Sequence, residues 1–330
     1  MEILVLGGTA FLGQAVASEA LTRGHSVTCA ARGNGRVPDG AILVCCDRDQ
    51  DAALESFSSR NWDAIIDVTC HPIHVRRAVL DLNAKHWVFV STSSVYALTN
   101  VLEQNESAQL RSPLDGDFMA EPAQYPAAKA ACEDIYRGNT DSLTIVRSGL
   151  IGGYGDSSGR TGYYTWRFAH PTSDDVLVPD PNFPVALIDV ADLSSWLIDC
   201  AEQKHIGTFN ATGSTTSLAE VLELSRQITR STAVARVVEP EILSAFGVSS
   251  WAGPMSLPLW IDDPEWRYTA TLDTSAAQAH GLRIRPLEET LRAALDYENH
   301  RPTPRLAGLS DDDERALRQY IAENQYRSEA

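Results

Sequence analysis

The chain has 330 residues, 44% hydrophobic and 22% charged, a composition ordinary for a globular protein of one large or two unequal domains. Its formal net charge of −17 weighs against nucleic acid and anionic membranes as partners, since both carry the same sign, and leaves a small molecule as the expected ligand. No apolar run is long enough to span a bilayer, Glu2 leads straight into a strand-like run, and Cys29, Cys45, Cys46, Cys70, Cys132 and Cys200 lack paired spacing, so a reducing, cytoplasmic setting is expected.

Short apolar runs alternate with helical patterns through the first 150 residues. Strands are expected over Ile3–Leu6, Ser26–Ala30, Ala41–Cys45, Ala64–Val68, Trp87–Ser91 and Leu143–Val146. Helical spacing covers Phe11–Arg23, Asp51–Ser59, Ile73–Asn83 and Tyr125–Arg137. The alternation implies βαβ units with right-handed crossovers, and the continuous apolar strands imply a sheet covered on both faces. The fold class expected is α/β, a doubly wound parallel sheet of the Rossmann type.

After residue 150 the texture becomes rich in Gly, Pro, Tyr and Asp. "PVALIDVADLSSWLIDCAEQ" reads as a strand and an amphipathic helix, and "GTFNATG" as another strand. Further helices are expected near 216–229 and 286–297, and a last one behind a Ser310 cap, with Asp311 to Glu314 at the positive end of its dipole. The expected division is a nucleotide domain of 1–150 plus about 183–212, and a smaller, discontinuous C-terminal substrate domain of 151–182 plus 213–330.

"ILVLGGTAFLGQAV", residues 3–16, places a glycine turn between a strand and a helix. Gly7 permits the tight turn and Gly13 lets the helix approach the sheet, whose N-terminal amides then face a pyrophosphate. The middle glycine of such a loop is replaced by Ala10, the smallest possible intrusion. Gly7, Thr9, Ala10, Phe11, Leu12 and Gly13 are the candidate cofactor-binding residues of this loop. The second strand, in "HSVTCAARGNGR", ends on no acid and offers Arg32, with Arg36 nearby. A guanidinium suits a 2′-phosphate, so NADP is expected as cofactor, with NAD the alternative. Asp47, in "CCDRD", faces the adenine edge or serves as a turn residue.

Tyr125 and Lys129 in "YPAAK" share one helical face. A phenol titrates near ~10, and an adjacent ammonium brings such a group into working range for proton transfer. Pro126 fits only if Tyr125 stands at the helix start. Upstream, "VFVSTSSVYA" ends a strand on hydroxyls, where ligands bind in this architecture.

With "GGTAFLG", "STSSVY", "YPAAK" and "IDVADL" in place, the chain resembles the extended short-chain dehydrogenase/reductase family, the NAD-dependent epimerase/dehydratase group, over most of residues 1–195. The resemblance implies Thr92 as a catalytic hydroxyl with Ser93 as its understudy, Tyr125 as acid/base and Lys129 as its partner. Ser91 and Ser94 are read as satisfying backbone groups. Sugar-nucleotide members carry an asparagine three residues after the arginine of "IVRSGLIGG"; Leu150 stands there after Arg147. Dehydratase members often carry an Asp–Glu pair where Ser93 and Ser94 stand, which makes dehydration the least favoured outcome. Homodimers are common in the family.

Other candidates divide between site and scaffold. His71 and His74 in "CHPIH" lack a third metal ligand, so no metal is expected, and His71 is read as lining the cofactor pocket. "GRTGYYTWRF" gives Arg160 and Tyr164 either as a substrate-pocket wall or as part of a packing helix. Asp189 and Asp192 are read as helix caps, and Trp251 and Trp260 as cleft roof or core. The expected function is an NADP-linked oxidoreductase moving hydride at a carbonyl or hydroxyl carbon. The alternatives are a nucleotide-sugar epimerase that recycles its cofactor and a non-catalytic NADP-binding regulator.

Overall fold

The computed structural model describes residues 1–33 and 35–328. The chain forms two compact units. The first comprises Met1–Gly149, Val190–Thr212 and Leu272–Ile284, and the second Leu150–Asp189, Gly213–Thr271 and Arg285–Ala330.

The first unit is built on seven strands: β1 (Glu2–Leu6), β2 (Ser26–Ala31), β3 (Ile42–Cys45), β4 (Ala64–Asp67), β5 (Trp87–Thr92), β6 (Leu143–Ser148) and β7 (Gly207–Ala211). Their order is β3-β2-β1-β4-β5-β6-β7, and every neighbouring pair is parallel. Strand order reverses between β1 and β4, the place where a doubly wound sheet opens a crevice outside its carboxyl ends. Four helices supply the crossovers: α1 (Phe11–Thr22), α2 (Pro72–Asp81), α3 (Tyr125–Asn139) and α4 (Val190–Gln203). α1 packs with α4 and α2 with α3, so the inner strands are buried on both faces, as their unbroken apolar runs require. Leu4, Leu6, Ile65, Phe89, Ile145 and Tyr136 lie in one continuous core cluster of this unit.

All six strands expected in the first 150 residues are present, each shifted by no more than a residue or two. The helix expected over Asp51–Ser59 shrinks to Glu55–Ser58, because Ala52 adopts a φ of 59° that no helix continues through. Two boundaries differ from the expected division. Leu187–Asp189 pairs in parallel with Leu150–Gly152 and so belongs to the second unit. Leu272–Ile284 belongs to the first: Leu272 bridges Gln104, and Trp196 Nε1 donates to the His280 carbonyl at 3.0 Å.

In the second unit, Asp175–Val178 pairs with Val234–Val237, and the helices are Tyr163–Ala169, Leu218–Thr229, Pro240–Phe246, Leu287–His300 and Asp311–Ser328, besides a shorter turn. Tyr163, Phe168, Val221, Leu257, Leu291 and Leu317 form its core. Ser310 caps the last helix as expected: Asp313 N–H donates to Ser310 Oγ at 3.1 Å, and Ser310 N–H returns a bond to Asp313 Oδ2 at 3.1 Å. Arg167, wholly buried, fastens that helix through Glu314 (3.0 Å) and Asp311 (2.7 Å).

Candidate active site

Beyond the carboxyl ends of β1, β2, β3 and β4 lies a cleft of about 540 Å³. Gly7 forms its floor with a φ of +99°, and a Cβ there would stand 2.5 Å from Val68 Cγ2. A Cβ on Gly13 would stand 2.2 Å from the Gly7 carbonyl oxygen, so α1 rests directly on the loop that precedes it. Ala10 is the N-cap residue of α1 in extended conformation, and its methyl is accommodated at the surface. Thr9, Ala10, Arg32 and Asp47 join Gly7 in the wall; Phe11, Leu12 and Gly13 lie in the first turn of α1 and are not among the lining residues.

The cleft suits a dinucleotide on three counts. α1 has no side-chain cap, so the amides of its first turn are free to meet phosphate oxygens, whereas in α2, which begins just after His71, Pro72 has no N–H and Ile73 N–H donates to the Asp117 carbonyl at 3.1 Å. Glycine backbone at Gly7 leaves room for close approach. The buried Arg48 Nε, in the cleft wall, has no hydrogen-bond partner among the described residues.

Arg48 and Asp67 form a buried ion pair that the sequence reading did not single out. Two parallel bonds of 3.0 Å join them, Tyr136 hydroxyl donates to Asp67 at 2.7 Å, Thr69 N–H donates at 2.9 Å, and Arg48 also donates to the His74 carbonyl at 2.7 Å. Burial opposes the charge on Asp67, but Arg48 and these donors outweigh it and hold the carboxyl below its usual range. The signal available in sequence was an arginine just after β3 and an acid closing an otherwise apolar β4.

Asp47 accepts from Asp49 N–H at 3.2 Å, which is the turn role, while also lining the cleft. His74 has both ring nitrogens engaged, with Thr69 Oγ1 at 2.8 Å and Asp49 Oδ1 at 2.7 Å. Burial and the neighbouring Arg48 keep its pKa below the usual histidine value. His71 lines the cleft; its Nδ1 accepts from Met119 N–H at 3.4 Å, and its ring lies 5.5 Å from that of Phe118. Arg32 is exposed, and Asp49 feels its charge. No group of three or more His, Cys, Asp or Glu able to hold a metal occurs among the described residues.

Next to the cleft, β5 ends on Thr92, which opens the single turn Ser93–Val95; α3 packs against that turn. Thr92 is half-buried, with its Oγ1 3.1 Å from Ser94 Oγ. Ser94 N–H also donates to Thr92 Oγ1, at 3.3 Å. Ser93 is buried. Ser91 departs from its expected backbone role and donates to the Glu133 carboxylate at 2.5 Å. Tyr125 is the first residue of α3, with Pro126 in the opening turn, so the proline costs no helical bond. Tyr125 is 37% exposed, and its hydroxyl makes no hydrogen bond among the described residues. Lys129, one turn on, is buried; its ammonium donates to the Thr69 carbonyl at 2.6 Å and to the Val90 carbonyl, and lies over the Phe89 ring. Two of its three N–H groups are thus held by the ends of β4 and β5.

Of the candidates in the second unit, Tyr164 is 1% exposed and packs in that unit's hydrophobic core, the packing alternative of the two readings. Arg160 lies over the Trp251 ring at 4.9 Å and donates to Ser158 Oγ at 3.2 Å. Trp260 is core, whereas Trp251 edges a small apolar recess with Leu150 and Phe183. Asp189 is buried with Arg285 at 3.6 Å, and Asp192 sits in the first turn of α4. All six cysteines are unpaired; Cys29, Cys132 and Cys200 are buried, Cys46 and Cys70 half-buried, and Cys45 exposed, so the thiols are not uniformly interior. No described helix is long and apolar enough to cross a membrane.

The sequence model of the NAD dependent epimerase/dehydratase family matches residues 3–77, from β1 through most of α2. No curated protein matches the chain by sequence. Among solved structures, the chain is similar to a UDP-glucose 4-epimerase from Thermotoga maritima, at 17% identity over 91% of this chain and 99% of that one, with a TM-score of 0.67. It is similar as well to a UDP-N-acetylglucosamine 4-epimerase from Bacillus cereus, at 16% identity over 93% and 98% of the two chains, TM-score 0.67. A third is a UDP-glucose-4-epimerase from Stenotrophomonas maltophila, solved with bound NAD and formylated UDP-arabinopyranose, at 17% identity over 91% and 98%, TM-score 0.67. Identities this low speak for the fold. The family model's match over residues 3–77 agrees with the family that the motifs resemble, and the solved structures agree with the fold.

Proposed function

We infer that the protein is a pyridine-nucleotide oxidoreductase that works on a carbonyl or hydroxyl carbon of a small molecule, with NADP preferred. The observation that carries this reading is the contact of Lys129 with the Thr69 carbonyl at 2.6 Å, which ties the helix of Tyr125 to the wall of the nucleotide cleft. The cofactor, when bound, supplies or accepts hydride at its nicotinamide ring. Tyr125 moves the proton on the substrate oxygen, for which its exposed, unengaged hydroxyl is suited. Lys129 provides fixed positive charge on the same helical face, and Thr92, at the end of β5, offers a hydroxyl to orient the substrate oxygen. Gly7, Thr9 and Ala10 would hold the pyrophosphate and Asp47 the adenine edge, His71 lines the same cleft, and exposed Arg32 at the rim would favour a 2′-phosphate.

Net oxidation or reduction is preferred to epimerisation because Leu150 stands where sugar-nucleotide relatives carry an amide side chain. The family description and the names of the structural neighbours favour the second reading, an epimerase that retains its cofactor. Incubation with NADPH and a panel of carbonyl compounds and nucleotide sugars separates the two. A net fall in nicotinamide absorbance is expected, whereas conversion of a nucleotide sugar with no net change in that absorbance selects the epimerase. Failure to bind either nucleotide in a fluorescence titration refutes both.

A further inference from the structure

Tyr125, Lys129 and Glu133 follow one another along one side of α3 at intervals of four residues. Glu133 has no exposed surface. Its carboxylate accepts bonds from Ser91 Oγ (2.5 Å), Arg147 Nε (3.1 Å), Arg147 Nη2 (2.8 Å) and Arg137 Nη2 (2.7 Å). Ser91 of β5 and Arg147 of β6 stand opposite each other in register, and Asn210 of β7 stands beside Arg147. Arg147 Nη1 donates to the Tyr96 hydroxyl at 3.1 Å, and that hydroxyl donates to Asn210 Oδ1 at 2.5 Å. Asn210 Nδ2 then donates to the carbonyls of Gln104 (3.2 Å) and Asp273 (3.1 Å). A row of polar side chains thus crosses the ends of three strands and meets α3 at Glu133.

Holding a helix on a sheet does not require this arrangement. Apolar pairs of similar volume stabilise as well as buried ion pairs or better, because the charges lose their hydration. What apolar contact lacks is direction: Cys132 and Ile135, which pack α3 into the apolar core, tolerate small rotations of the helix, and the Tyr136 hydroxyl gives a single directional tie, to Asp67 at 2.7 Å. A guanidinium meeting a carboxylate through two nitrogens has a fixed geometry. Fixing the rotation of α3 also fixes where Lys129, one turn earlier, aims its ammonium.

We propose that Glu133 and Arg147 are positioning residues, a pair that locks the rotation of α3 so that Lys129 reaches the Thr69 and Val90 carbonyls and Tyr125 is presented at the strand ends. The inference deepens the oxidoreductase reading and rests on it for its kinetic consequence alone. Its geometric consequence is measurable without any substrate. The chain has three lysines, Lys85, Lys129 and Lys204. Lys85 and Lys204 are exposed and serve as internal references for reductive methylation, while Lys129 is buried.

The test compares the wild type with Glu133→Gln and with the double variant Glu133→Leu/Arg147→Met, reading methylation of Lys129 by mass spectrometry, melting temperature, and kcat with KM for the nucleotide. In Glu133→Gln, Lys129 is expected to methylate at least tenfold faster, and kcat to fall at least tenfold with KM for the nucleotide within twofold. The double variant is expected to regain the wild-type melting temperature while Lys129 stays reactive and kcat stays low. Lys129 protected in Glu133→Gln as in the wild type overturns the proposal. A double variant that regains protection, kcat and melting temperature together also overturns it, because the pair is then merely packing. If Glu133→Gln does not fold, the folded double variant decides by the same two criteria. A wild type that binds no pyridine nucleotide ends the oxidoreductase reading, and the methylation arm still decides the positioning role.

Discussion

Arg48 holds Asp67 through two parallel hydrogen bonds of 3.0 Å, and neither side chain has more than marginal contact with solvent. The pair links the segment after β3 to the end of β4, two walls of the cleft beyond the strand ends. Replacing Asp67 by Ala strands a buried guanidinium and the Tyr136 hydroxyl. A loss of ~3–5 kcal/mol in unfolding free energy is expected, read from urea denaturation. A loss under ~1 kcal/mol, the range of an exposed pair, contradicts the burial described.

The second prediction concerns the loop. Gly13→Ala places a methyl 2.2 Å from the Gly7 carbonyl oxygen, backbone that cannot swing aside. The variant is expected to lose ~1–3 kcal/mol of stability and at least tenfold in nucleotide affinity, because relief of the clash must displace the turn that carries the site. Isothermal titration of the folded variant checks this; wild-type affinity would remove the loop from the site.

Tyr125→Phe separates chemistry from scaffold. The side chain is partly exposed and its hydroxyl unengaged, so stability should move by no more than ~0.5 kcal/mol. Turnover is expected to fall ~100-fold or more, with nucleotide affinity within twofold. Unchanged kcat would assign proton transfer to another group.

For cofactor choice, Arg32→Ala should weaken NADPH binding about tenfold, ~1.4 kcal/mol, and leave NADH binding unaltered. Equal losses for both nucleotides would mean that Arg32 does not read the 2′-phosphate.

A pH dependence follows from His86. The ring is buried between Ser142 Oγ and Thr144 Oγ1, each at 2.8 Å, and burial, with Lys204 and His205 adding to it, pushes its pKa down from 6.5 to about 4. The unfolded chain therefore takes up this proton first as the solution is acidified. The stability contributed by neutral His86 is complete above pH 6.5 and declines toward pH 4, by ~3 kcal/mol in all. Unfolding midpoints measured across that window should fall, and the fall should flatten in His86→Gln. An equal slope in the variant would assign the acid sensitivity elsewhere.

The first unit was legible because its signals are local. A strand buried on both faces is an unbroken apolar run, and Gly7 and Gly13 mark a tight turn between strand and helix by their spacing alone. What escaped was long-range. Asp67, Glu133 and Arg147 are charges within strands or a helix and Arg48 lies in the turn after β3, and nothing in their spacing says which cation finds which anion. Tyr164 reads like Arg160 four residues earlier, yet one is core and the other lies over Trp251, because Tyr164 is inside the seven-residue helix and Arg160 in the loop before it. The return of Leu272–Ile284 to the first unit rests on the Trp196–His280 contact, which joins residues with no sequence pattern in common.

That return has a consequence for synthesis. The chain passes repeatedly between its two units, and the first is not complete until Ile284 has been made. A ribosome releasing this polypeptide from its N-terminus exposes six strands of the sheet well before β7 arrives to cover the free edge of β6. The nascent product must wait, with an open strand edge, for most of its own length. Fragments cut at Gly149 should therefore be recovered as aggregates rather than as a free-standing nucleotide binder.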